Sequence, residues 1–147
     1  MDFLEIVKSG FKPKEPVLLS GQIENSKRVA YEASNLLAKT ENIFSIKLSN
    51  ENFNDLQVLY DNAKNIDDAS VIIINIDDKD PLTYETQVRL IAFIEKNYRS
   101  KSNDMNLNNS FILVVKPEKI DLDSALTYRL VCVNIDNDLD NDNLKSR

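Results

Sequence analysis

The chain has 147 residues, 42% hydrophobic and 29% charged, with a net charge of −6. That length holds one ordinary core, and the balance is that of a folded chain rather than a disordered one. The acidity argues against a duplex nucleic-acid partner. A complete lack of histidine excludes imidazole-based triads and most zinc sites, and a single cysteine excludes an intramolecular disulfide.

In chain order, Phe3, Leu4, Ile6 and Val7 predict a short amphipathic helix ending at Gly10. It begins at an N-terminus that carries acids early and has no apolar h-region, so no signal peptide is expected. Lys12-Pro13-Lys14-Glu15-Pro16 reads as a loop because two prolines break helices and ladders. Val17-Leu18-Leu19 reads as a buried strand, Gly21 to Asn25 as a polar turn, and Ser26 to about Thr40 as a helix with Val29, Ala30, Ala33, Leu36 and Leu37 on one side. Ile43, Phe44, Ile46 and Leu48 predict the next strand. Ser49 or Asn50 is expected to cap a helix carrying Phe53, Leu56, Leu59, Tyr60 and Ala63.

Val71 to Ile76 is the strongest strand signal, apolar on both faces as in a central parallel strand. Thr83 to Tyr98 predicts a helix. Arg99 to Asn109 predicts a polar, mobile loop. Phe111 to Val115 is a further buried strand, and Asp121 or Asp123 is expected to cap a short helical turn through Ala125 and Leu126. Leu130 to Ile135 is the last strand, in which Cys132 is expected to be a buried, inert thiol. Asp136 onward is polar, and residues 137–147 predict an acidic, flexible tail. Tyr60, Tyr84 and Tyr98 are expected to pack rather than to stack on a ligand.

The alternation β-α-β-α-β-α-β-(short α)-β predicts a three-layer α/β domain over residues 1–136. Residues 1–15 form its N-terminal helix and loop. Its mostly parallel five-stranded sheet carries helices on both faces. Ligands of such sheets sit beyond the carboxyl ends of the strands. No apolar run approaches the about 18 residues of a membrane span, so cytoplasmic residence is the expectation.

Gly21-Gln22-Ile23-Glu24-Asn25-Ser26-Lys27-Arg28 follows the first strand with the glycine-to-lysine spacing of a phosphate-binding loop. The second glycine is Ser26, and Arg28 replaces the magnesium-binding hydroxyl. Only one glycine remains to let backbone N–H groups wrap a phosphate, and Glu24 adds negative charge there. Lys27 and the helix N-terminus still favour an anion.

Taken with three later segments, this stretch resembles the α/β core of the AAA+ family of P-loop NTPases. Val71 to Lys79 is similar to the Walker B strand. In one register Asn75 and Ile76 stand at the family's acidic pair, with Asp78-Lys79 matching its following Asp-Lys. In the other, Asp77 and Asp78 form the pair. The helix after this strand is similar to the family's through Gln87, Leu90 and Glu95. Phe111 to Pro117 resembles the sensor 1 strand, with Lys116 at the polar position. Leu122 to Leu130 resembles the segment that ends in the family's arginine, here Arg129, which serves in some members as a finger toward a neighbouring subunit.

The resemblance covers residues 16 to 136 and implies an eroded nucleotide site. Its vestigial residues would be Gly21, Ser26, Lys27, Arg28, Asn75, Asp77 and Asp78, with no catalytic residue and no metal. It implies a pseudo-ATPase working through a protein partner or as a homo-oligomer, without cofactor. The alternative is a weak nucleotide binder or ATPase, with Lys27 on phosphate and Asp77 or Asp78 on Mg²⁺. The helical lid of the family is not expected, because the chain ends after the last strand.

Overall fold

The computed structural model describes residues 2–99 and 110–136. The loop expected over 99–109 falls almost wholly outside these residues, and the acidic tail of 137–147 falls outside them entirely.

Five strands form one sheet: β1 (Val17–Ser20), β2 (Ile43–Leu48), β3 (Ser70–Ile76), β4 (Ser110–Val115) and β5 (Val131–Asn134). Their order is β2-β3-β4-β1-β5, and all four pairings are parallel. The α/β sheet expected from the alternation of elements is therefore present.

The helices are α1 (Phe3–Lys8), α2 (Ile23–Leu37), α3 (Phe53–Ala63), α4 (Tyr84–Ile94) and α5 (Ser124–Thr127), with a π-helical turn (Glu95–Arg99) continuing α4. One face of the sheet presents Val17, Leu19, Ile73, Leu113 and Val133 to α1 and α2. The other presents Leu18, Ile72, Ile74 and Ile112 to α3, α4 and α5. This is why β3 and β4 are apolar at nearly every position: each lies beneath helices on both sides. Tyr60 and Phe93 meet edge to face across α3 and α4, with centroids 5.2 Å apart. Tyr60 and Tyr98 pack as expected, whereas Tyr84 is exposed.

Local chemistry sets the helix starts. The Asp2 side chain accepts from Glu5 N at α1, Thr83 from Thr86 N at α4, and Asp123 from Ala125 N at α5. Helix α3 starts later than expected. Asn52 occupies its cap position, and its side chain is turned back to accept from Ser49 N and to donate to Lys47 O.

Helix α2 starts at Ile23 and not at Ser26. The Gln22 side-chain oxygen accepts from Asn25 N at 2.8 Å, which supplies the cap and lets the helix begin two residues after β1 gives way to Gly21. Cys132 is exposed rather than buried. β5 is a sheet edge whose residues alternate in burial, and the cysteine falls on the open side.

Candidate functional site: the carboxyl end of the sheet

β1 runs beside β4 and β5, yet the chain leaves it for the far edge at β2. The change in direction opens a crevice beyond the carboxyl ends of the strands, where ligands of such sheets gather. Gly21 makes the turn there, with φ +123, a conformation that side-chain-bearing residues rarely adopt. A Cβ at this position would lie 2.7 Å from Asp136 Oδ2 and 2.9 Å from Ile135 Cγ1. The glycine is thus required by backbone angle and by space.

The same Asp136 oxygen accepts from Gln22 N at 3.0 Å. Asn25 N is taken by the Gln22 side chain, and Ser26 N by Gln22 O at 2.9 Å. Residues 23–27 are helical, so no wide loop of successive N–H groups lies between β1 and α2. A carboxylate of this chain stands beside the turn that would face a phosphate.

The sequence-predicted residues separate at this end of the molecule. Ser26 is fully buried, and its hydroxyl has no hydrogen-bond partner among the described residues. Arg28 pairs with Glu32 one turn on, at 3.1 Å. Lys27, Asn75 and Asp78 converge on a cavity of about 420 Å³ between α2 and the ends of β2, β3 and β4.

Asp77 lies past the end of β3, where its Oδ1 accepts from Lys79 N at 2.8 Å. That N–H, and secondarily the Lys47 ammonium 3.9 Å away, hold the carboxyl below its ordinary range. Lys116 donates to Ile120 O and Pro117 O and so braces its own loop. Arg129 pairs with Glu95 and donates to Ala125 O at 2.7 Å, which ties it to α4 and α5.

Sequence reasoning missed Asp136, read only as the first polar residue after the last strand. It also missed Tyr31, Ser45 and Lys47, which line the same cavity as Lys27. The signal for the last two was present. In Ile43-Phe44-Ser45-Ile46-Lys47-Leu48 the polar residues alternate with apolar ones, marking a strand with one open face. Among the described residues no helix is long and apolar enough to cross a membrane, and no three carboxylate or thiol residues group as a metal site would.

The chain matches no protein-family model and no curated protein. It does match solved structures. One is the DNA polymerase III, gamma subunit-related protein of Thermotoga maritima, with a TM-score of 0.60 and 14% sequence identity. The match covers 90% of this chain but spans only 44% of that one. The parallel sheet and its helices thus form a three-layer α/β fold shared with that structure.

Proposed function

We propose that this chain is a non-hydrolysing AAA+-like core. It serves as a cytoplasmic protein-interaction, assembly or regulatory subunit of a larger complex, with no nucleotide or metal cofactor and no direct nucleic-acid contact. The observation that carries this reading is the closed turn after β1. Phosphoryl transfer depends on positioned N–H groups, a lysine and Mg²⁺ around the phosphates. Here Asp136 holds the Gln22 N–H, and Glu24 adds a second carboxylate in the first turn of α2. Arg28, at the magnesium-ligand position, is engaged with Glu32. Arg129 is occupied within its own subunit by Glu95, so the fold is kept without the charges that make it an ATPase. The similarity to a DNA polymerase III, gamma subunit-related protein supports a clamp-loader-like or adaptor role.

The second reading is a weak nucleotide binder or ATPase. What favours it is that Lys27 and Asp78 line one cavity. Calorimetry and thermal shift with ATP, ADP and Mg²⁺ separate the two. No binding at millimolar nucleotide is expected. Micromolar binding that is lost in Lys27→Ala would sink the purely structural reading. Light scattering after mild cross-linking and purification from the native cell is expected to show the chain in a stoichiometric complex with a protein partner or with copies of itself.

A further inference from the structure

Strand β2 is an edge of the sheet, and its backbone groups divide between its two sides. Leu48 O accepts from Asp77 N, so Leu48, Ile46 and Phe44 direct their N–H and C=O toward β3. Those of Ser45 and Lys47 therefore point outward. Lys47 O is taken by the Asn52 side chain at 2.7 Å. The Ser45 N–H and C=O and the Lys47 N–H face away from the sheet.

Helix α2 covers the core of the sheet but leaves β2 uncovered on that face, where Ser45 and Lys47 are exposed. The cavity of about 420 Å³ runs between them and the Lys27 and Tyr31 side chains of α2. In a chain of net charge −6 this trough carries two exposed ammonium groups, with Asp78 on its lining and Asp77 Oδ1 3.9 Å from the Lys47 ammonium. Tyr31, 55% exposed, adds an aromatic surface beside them.

We propose that an extended acidic segment of a protein partner adds to β2 as a sixth strand. Its backbone pairs with Ser45 and Lys47, and alternate carboxylates meet Lys27 and Lys47. Strand addition draws affinity from main-chain hydrogen bonds and specificity from alternate side chains, and this edge offers both. The inference rests on the interaction role proposed above and names the surface that performs it.

The test uses the full chain and a fluorescein-labelled ten-residue peptide alternating Thr and Glu, with a Thr-Lys peptide as control. Anisotropy is expected to show the Glu peptide binding, more weakly as salt rises, and the Lys peptide not binding. Lys27→Glu/Lys47→Glu, at two exposed positions, is expected to weaken the Glu peptide at least tenfold. Hydrogen exchange is expected to slow at the Ser45 and Lys47 amides when the peptide binds. Ser45→Pro removes an outward N–H without touching the β3 ladder and is expected to abolish binding. Should that variant not fold, the double lysine variant decides.

The proposal is overturned if the double variant binds the Glu peptide as well as the parent, or if protection falls on another strand. It is also overturned if light scattering shows a dimer that Ser45→Pro dissociates, since β2 would then be occupied by a second copy. Nucleotide binding lost in Lys27→Ala would overturn the purely structural reading and leave this edge untouched. A partner retained on a chain whose β2 edge stays unprotected would overturn only the edge.

Discussion

The chain leaves β1 through Gly21 and Gln22 and leaves β3 through the longer run from Asp77 to Thr83. A side chain from elsewhere holds each turn. At β1 it is Asp136, a carboxylate 114 residues away in sequence, accepting from Gln22 N. At β3 it is Asn50, whose oxygen accepts from Thr83 N at 2.8 Å and whose amide donates to Pro81 O at 3.1 Å. The first turn is clasped by a negative charge at a helix N-terminus, the second by a neutral amide that both gives and accepts. The charge accepts from an N–H at the start of α2, and the amide bonds only loop backbone. Two turns at the same end of one parallel sheet are thus held by different chemistry, a charge at a helix N-terminus and a neutral amide.

Gly21→Ala tests the first clasp most severely. The added methyl meets both the φ of +123 and the contacts with Asp136 and Ile135. A loss of about 1–3 kcal/mol in chemical denaturation is expected. Gly21→Ala/Asp136→Ala is expected to recover only part of it, because the backbone angle and Ile135 remain. Full recovery would show that the turn is set by the carboxylate alone.

Asn50→Ala tests the second clasp. Both of its bonds are solvent-exposed, so the global cost is expected to be about 1 kcal/mol. Local opening is the sharper readout: hydrogen exchange at Thr83 is expected to quicken while that of β3 stays slow. Equal acceleration through β3 would mean that the turn and the strand open together.

The five strands were legible because burial beneath two helical layers writes itself as continuous apolar runs, as in Val71 to Ile76 and Phe111 to Val115. The misplaced start of α2 has a definite cause. The Gly21-to-Lys27 spacing reads as a loop, and only the folded contact between Gln22 and Asn25 turns those residues into helix. Asp136 was illegible for a related reason: its meaning comes from a contact across 114 residues, and no local pattern marks it. Cys132 was misread because an apolar run does not show that its strand lies at an edge. Lys47 and Ser45 were legible in their alternation, but the groove they form with α2 depends on β2 being an edge strand as well.

Ser26 stands at the second glycine of the phosphate-loop pattern, yet it faces the interior. Its buried hydroxyl has no partner among the described residues, so Ser26→Ala removes an unsatisfied polar atom and adds the best helix former. A gain of a few tenths to about 1 kcal/mol is expected in thermal or chemical denaturation. A loss would show that the hydroxyl has a hydrogen-bonding role at the start of α2, and the two turns would then differ less than their geometry indicates.

The smallest effect lies at Asp77, on the longer turn. Its carboxyl is held below the ordinary 3.8 chiefly by the Lys79 N–H, with Lys47 contributing less. A depressed folded-state pKa gives stability that is fully present above the unfolded value and is lost as pH falls through the folded one. The difference in thermal midpoint between the parent and Asp77→Asn is therefore expected to be steady from neutral pH to about 5. It should shrink as the solution is acidified past 3.8. Salt separates the two causes. Screening weakens the Lys47 attraction across 3.9 Å but leaves a short N–H bond within the turn in place. An NMR titration of the Asp77 carboxyl carbon is thus expected to keep most of its depression in high salt. A depression that disappears with salt would make the Lys47 charge, and not the Lys79 N–H, the main partner of this carboxylate, adding an electrostatic contact to the turn that Asn50 holds.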